Sequence, residues 1–255
     1  MKPIDLNADV GESPERIEAD LALVSVVTSA NIACGGHAGD ASSMERLVRV
    51  CLATGCSIGA HPSYPDRAGF GRSDMAIGLS EIHRHVADQV ASLARIAESL
   101  GANVGHVKPH GALYHAAAGR VEVADVLADA VMMVVPEAAM IGPCGSPGAA
   151  RWRARGLAVV EECFADRAYE ADGTLTPRSE AGAVITDPAR AAARAWRMAM
   201  HGVVESRDGV TIPMRPGTLC VHSDTPGAME IARAVRLAIE SMGIRVAAPF
   251  ASPRA

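Results

Sequence analysis

The sequence predicts an α/β fold in a single domain, and three observations carry that expectation. Short apolar or β-branched segments alternate with longer Ala- and Leu-rich stretches of helical period, the mark of βαβ units around a parallel sheet. The 255 residues are 49% hydrophobic, enough for one sizeable core. No Ser/Pro-rich linker, charge run or internal repeat divides residues 1–255.

Seven strands are expected, near Pro3 to Ala8, Thr28 to Cys34, Ser57 to His61, Asn103 to Lys108, Ala139 to Gly142, Ala158 to Phe164 and Thr218 to His222. Helical stretches lie between them, near Asp40 to Ala53, Ser80 to Leu100, Val121 to Val135, Pro188 to His201 and Pro226 to Met242. Asp40, Ser80 and Asp187 can cap helix starts, Pro188 suits a first turn, and Gly101 and Gly243 suit helix ends. Arg207-Asp208-Gly209 between two β-branched pairs reads as a hairpin turn, an excursion before the last strand. Met132, Met133, Met198 and Met200 read as core filling. This alternation suits a (β/α) barrel, and an open doubly wound sheet leaves a similar pattern.

Composition excludes several classes of function. A net charge of −5 without a basic block gives no electrostatic footprint for nucleic acid and no polybasic membrane signal. No apolar run approaches bilayer length, and Met1 leads into Pro3-Ile4-Asp5 without a signal-peptide pattern, so the cytoplasm is the expected location. Six cysteines without a C-x-x-C pair indicate neither a disulfide framework nor a zinc knuckle. Lys2 and Lys108 are the sole lysines among 24 basic residues.

Ionisable and amide residues collect at the C-terminal ends of the expected strands. They are Asn7, Asp9 and Glu12; Asn31 and His37; His61 and Asp66; His106, Lys108 and His110; Glu161, Glu162, Asp166 and Arg167; His222 and Asp224. In barrels and open α/β sheets alike, catalytic groups come from the loops after the strands, so these residues read as one convergent pocket. Gly35-Gly36-His37 lets the backbone turn sharply beyond a strand, and Pro62 stops pairing just after His61. Strand alternation would put His106, Lys108 and His110 on one side of the chain. A lysine in an arginine-using chain points to compact ammonium chemistry: titration, a Schiff base, or an oxyanion clamp. Asp166 and Arg167 read equally as a loop ion pair, and Asp224 as a helix cap. Gly142 to Gly148 is no phosphate-cradling loop, because no Gly-Lys-Ser/Thr follows, and reads as a turn. The set suits hydrolysis of an amide-like bond.

Several long motifs, in order, resemble those of the LamB/YcsF family over nearly the whole chain. They include Asp5-Leu6-Asn7-Ala8-Asp9-Val10-Gly11-Glu12, Ser29 to Asp40, Gly59-Ala60-His61-Pro62, Gly69-Phe70-Gly71-Arg72, Val107 to Tyr114, Glu162 to Tyr169 and Cys220 to Pro226. The chain departs from the family pattern at Ala8, Ser73 and Ser223, where cysteine, arginine and glycine are usual. The resemblance implies an irregular seven-stranded (β/α) barrel of the glycoside hydrolase/deacetylase type. It also implies work as the A component of an ATP-dependent 5-oxoprolinase, which converts 5-oxo-L-proline to L-glutamate with partner subunits B and C.

On that expectation ATP is a co-substrate, used with a divalent cation and the partner subunits, and no tightly bound cofactor is expected. The catalytic candidates are Asp9, His37, His61, Lys108, His110 and Glu162. Asp9, Glu162 or a histidine would activate water, while Lys108 with His110 would hold the oxyanion. The substrate-binding candidates are Asn7, Glu12, Asn31, Arg72, Asp166, Arg167, His222 and Asp224, with Arg72 or Arg167 as the fork for a carboxylate. No metal ligand is assigned. Two alternatives stay open: a metal-dependent deacetylase or amidohydrolase using Asp9, His37 and His61, and a non-catalytic substrate-binding subunit.

Overall fold

The computed structural model describes residues 2–250. Seven parallel strands close into a barrel in the order β1-β2-β3-β4-β5-β6-β9. They are β1 (Asp5–Val10), β2 (Ser29–Ala33), β3 (Ser57–His61), β4 (His106–Val107), β5 (Ala139–Pro143), β6 (Val159–Phe164) and β9 (Thr218–His222). All seven fall where the alternation predicts them, and closure through the β1–β9 pairing, Asp9 opposite His222, settles barrel over open sheet. The hairpin also forms, as β7 (Val203–Glu205) and β8 (Thr211–Pro213), outside the barrel.

Helices α2 (Ala41–Thr54), α3 (Leu79–Ser99), α5 (Val121–Val134), α7 (Pro188–His201) and α8 (Ala228–Glu240) match the five expected stretches. Asp40 caps α2 in a reciprocal box with Ser43, and Asp187 accepts from Ala189 N with Pro188 in the first turn of α7. Ser80 does not cap: Gly78 holds that position and α3 begins without a side-chain bond. Three short helices escape the sequence reading, α1 (Ile17–Val24), α4 (Gly111–Gly119) and α6 (Pro147–Ala154). Each has only eight or nine residues, and neither α1 nor α4 has a side-chain cap, so little marks them in the sequence. The glycine-rich segment read as a turn therefore runs from the end of β5 into α6. Of the four methionines, Met198 is buried and Met132 half-buried, whereas Met133 and Met200 are exposed.

Strand alternation explains where the core and the site lie. In β1, Leu6, Ala8 and Val10 join the apolar core, while Asp5, Asn7 and Asp9 belong to a hydrogen-bonded network. That network runs between strands. Thr218 Oγ1 donates to Asp5 Oδ2 (2.6 Å), Asn7 Nδ2 donates to Thr218 Oγ1 (2.7 Å) and Glu162 Oε1 (2.9 Å), and Asn31 Nδ2 donates to Asn7 Oδ1 (2.7 Å). His106 Nε2 reaches Asn31 Oδ1 (2.9 Å). Barrels of this kind are usually filled with branched aliphatic side chains; here the filling is polar. Gly59 belongs to that arrangement, since a Cβ there would stand 1.9 Å from His106 Nε2.

Candidate active site

All seven barrel strands run parallel, so their C-terminal ends share one mouth, and a cavity of about 250 Å³ opens there. Asp9, Glu12, His61, Arg72, Lys108, His110, Phe164, Arg167 and His222 line it. Of the other expected site residues, Asn7 and Asn31 lie beneath it in the barrel network, and Glu162 backs Lys108. His37 sits behind Glu12. Asp166 lies behind His222, and Asp224 joins two arginines at the rim.

Lys108 lies just beyond the two-residue strand β4, and its backbone N–H still bonds Ala60 O at 2.9 Å. Its Nζ meets Asp9 Oδ1 and Glu162 Oε1, each at 2.8 Å, and Cys220 Sγ at 3.2 Å. Burial alone would lower its pKa, but Asp9, Cys220 and Glu162 raise it well above the ordinary lysine value. Lys108 is therefore a fixed cation at neutral pH. Of the three roles expected for it, titration and Schiff-base formation need a neutral amine, so the oxyanion clamp is what this environment supports.

Asp9 is held ionised in turn: burial pushes its carboxyl up, and His61, Lys108 and His222 bring it well below the usual range. Its Oδ1 accepts from Lys108 and from Asn31 (2.7 Å), while Oδ2 lies 3.5 Å from His61 Nε2. Glu162 has its oxygens engaged by Lys108, Asn7 and Tyr114, whose hydroxyl donates to Oε2 at 2.9 Å. Its structural position is a brace for the ammonium.

His222 and Asp166 form a dyad, with Nδ1 3.0 Å from Oδ1. Thr225 Oγ1 and the His222 backbone N–H also donate to Asp166 Oδ2, at 2.7 and 3.0 Å. Burial pushes the Asp166 carboxyl up, but His222 and these bonds leave it below its ordinary value. The carboxylate fixes the tautomer, so His222 turns Nε2 toward Asp9 Oδ2, 4.0 Å away, with Phe164 stacked on its ring. Ser223 follows without backbone strain; among the described residues Phe70 is the single non-glycine with positive φ.

Arg167 is buried, and its guanidinium donates to Thr176 O (2.7 Å) and Ala183 O (3.3 Å). No ion pair to Arg167 forms among the described residues, so a cation faces the cavity with carbonyls as its sole partners there. Arg72, by contrast, is half-exposed and tied to Asp224 (2.9 Å), which also binds Arg178.

Three histidines gather around Glu12 Oε1, while Asp9 meets Lys108 through Oδ1 and His61 and His222 through Oδ2. Glu12, His37, His61 and His110 each offer one ligand atom, all within 4.8 Å of one another. Burial drives the His37 pKa down to about 4 and lowers that of His110, whereas Asp9 raises that of His61 against burial. His106, expected to share the pocket, lies below it in the barrel, and burial takes its pKa to about 3. The sequence reading passed over Tyr114, Thr225 and Phe70 as site-shaping residues, although each lies inside one of the family-like motifs. Arg178 carries no comparable signal.

Fold and site together define a seven-stranded α/β barrel protein with a buried, charge-dense cleft sized for a small molecule. A profile of the LamB/YcsF family matches residues 4–254, and the chain belongs to that family. A protein of Methylococcus capsulatus, named as the A component of 5-oxoprolinase, is 48% identical over 249 residues, covering 97% of this chain and 96% of that protein. The protein of the same name from Heliobacterium modesticaldum is 45% identical, with 97% and 98% covered. The crystal structure of a lactam utilization protein from Thermus thermophilus is similar at a TM-score of 0.87 and 42% identity, covering 97% of this chain and all of that one. A family 4 carbohydrate esterase from Streptomyces lividans shares the fold alone, at a TM-score of 0.53 and 10% identity. Among the described residues no helix is long and apolar enough to cross a membrane.

Proposed function

We propose that this chain is the lactam-opening A component of an ATP-dependent 5-oxoprolinase, acting on 5-oxo-L-proline with partner subunits B and C in the cytoplasm. One observation carries the reading: a permanent ammonium, an oriented imidazole and an arginine without a carboxylate partner surround one small cavity. The relatives' names point to the same substrate.

A five-membered lactam is a stable amide, so water adds readily only after the carbonyl is activated. ATP would supply that activation by phosphorylating the lactam oxygen, with the partners contributing nucleotide handling, since this chain has no phosphate-cradling glycine loop. Arg167 then holds the substrate carboxylate as a planar fork. His222, aligned by Asp166, takes a proton from water as it adds to the carbonyl carbon. Lys108 stabilises the negative charge on the oxygen delivered by water as the adduct collapses. Collapse of the adduct breaks the C–N bond, the ring nitrogen regains its protons, and a second water hydrolyses the resulting acyl phosphate to glutamate and phosphate.

The test is 5-oxoproline-dependent ATP hydrolysis and glutamate release, measured with this chain alone, the partner subunits alone, and all together. Turnover only in the complete mixture supports the reading. ATP-independent lactam hydrolysis by this chain alone would defeat it.

A further inference from the structure

We propose that Glu12, His61 and His110 bind one divalent cation of the zinc class, with His37 orienting the Glu12 carboxylate. The argument begins with protons. His61 Nδ1 lies 2.7 Å from the Lys108 carbonyl oxygen and His110 Nε2 lies 3.0 Å from the Phe70 carbonyl oxygen. A carbonyl has no proton to give, so both of these nitrogens carry one. In the neutral rings the other two nitrogens, His61 Nε2 and His110 Nδ1, are then bare lone pairs, and they face each other at 3.0 Å. Glu12 Oε1 stands 3.1 Å from His110 Nδ1 and 3.7 Å from His61 Nε2.

With both rings neutral, three electron-pair donors converge with no hydrogen to share, and Asp9 Oδ2 stands 3.5 Å from His61 Nε2 as a fourth. A single proton relieves one of the three contacts; a cation at their centre relieves all of them. The spacing fits, because donors about 2.1 Å from a tetrahedral ion are separated by about 3.4 Å.

Ring orientation separates ligands from support. His61 and His110 lie at 90°, so their lone pairs can meet at one point. His37 lies flat on His110, centroids 3.6 Å apart and planes 4° from parallel, so those two rings cannot both direct in-plane lone pairs at one ion. Its Nε2 instead reaches Glu12 Oε1 at 3.1 Å, the position of a residue that aims a ligand.

The backbone beyond the ligands is shaped for the same end. Phe70, whose carbonyl fixes the His110 tautomer, has φ 55°, and Gly71 beside it has φ 63°. A Cβ on Gly71 would stand 3.0 Å from His37 Cβ and 3.1 Å from His110 Cδ2. Left-handed backbone at a phenylalanine costs of order 1 kcal/mol and persists where the surroundings enforce it, as at ligand clamps.

Charge balance favours a dication. Asp9 and Glu162 share the Lys108 ammonium, whereas Glu12 has no lysine or arginine partner among the described residues. Two imidazoles and one carboxylate suit zinc and its borderline neighbours, whereas magnesium and calcium prefer all-oxygen shells. The open coordination position would face the cavity shared with Lys108.

The purified full-length chain, stripped with chelator, is titrated with Co(II) by visible absorption and with Zn(II) by calorimetry. The proposal expects one equivalent bound, with a Kd of about 1 μM or tighter. Glu12→Gln, His61→Asn and His110→Asn, each checked by circular dichroism, should weaken it about 100-fold or more, and His37→Asn about 10-fold. Glu12→Gln preserves volume, so its loss of binding cannot be laid to misfolding. Absence of saturable binding below about 1 mM in the parent chain, or tight binding that survives Glu12→Gln and His110→Asn, would overturn the proposal. Neither readout involves turnover, so failure here leaves the ring-opening reading standing.

Discussion

Lys108 Nζ lies 2.8 Å from Asp9 Oδ1 and, on its other side, equally close to Glu162 Oε1. Removing the ammonium therefore does two separate things. Lys108→Met takes away the oxyanion clamp and leaves two buried carboxylates without their counter-ion. Turnover should fall at least about 100-fold, and stability by about 3–5 kcal/mol. The double variant Lys108→Met/Glu162→Gln should regain part of the melting temperature and none of the activity. Recovery of turnover in the double variant would refute the role given to Lys108.

The His222–Asp166 dyad predicts a loss confined to the chemical step. His222→Gln should lower kcat about 100- to 10,000-fold with little change in KM. Asp166→Asn should follow in direction, because the asparagine no longer enforces the same imidazole tautomer. Steady-state assays of the complete enzyme check both; a KM effect alone would make His222 a binding residue.

Arg167 predicts the opposite pattern. Arg167→Met should raise KM for 5-oxoproline about 10- to 100-fold, whereas binding of 2-pyrrolidinone, the same ring without the carboxylate, should not change. Equal weakening of both ligands in calorimetry would place the carboxylate elsewhere.

Asp20 predicts a pH dependence of stability. It is buried, Gly11 N donates to its Oδ2 at 2.7 Å, and Oδ1 has no partner. Burial raises its pKa from 3.8 to about 6. The folded state therefore holds this proton more tightly than the unfolded chain does. Its contribution is fully present below about pH 4, is lost as pH rises through about 6, and stays lost above, at a cost of about 3 kcal/mol. Asp20→Asn should flatten the fall in melting temperature between about pH 4 and 6. An unchanged slope would show that other groups govern it.

Gly59→Ala should destabilise the fold by about 1–3 kcal/mol or more, since the new methyl meets the His106 ring inside a packed barrel. Chemical denaturation measures this directly. A neutral substitution would mean that His106 can move aside.

Much of this was legible in the sequence, for identifiable reasons. Barrel strands announce themselves by β-branched runs, and strand-end positions such as Asp9, His61 and His222 follow from parallel order alone. Barrel closure, by contrast, depends on the β1–β9 pairing, which joins residues more than 200 positions apart and leaves no local mark. The grouping within the site was equally hidden. Glu12 and Asp9 are three residues apart, yet one meets only histidines and the other a lysine as well, because β1 ends at Val10 and Gly11 turns the chain at φ 77°. Polar positions also alternate in β1, and that period alone cannot say which face turns toward helices.

The hydrogen-bonded filling of the barrel has its own consequence. Thr218, Asn7, Asn31 and Glu162 connect Asp5, at the start of β1, to Lys108 at the cavity through unbroken donor–acceptor steps. Each member's orientation is set by its neighbours, so the axis of the molecule is one cooperative unit. Substitutions at Asp5 and Lys108 should therefore be non-additive despite their separation, and the interior should resist piecemeal change far more than an aliphatic filling would.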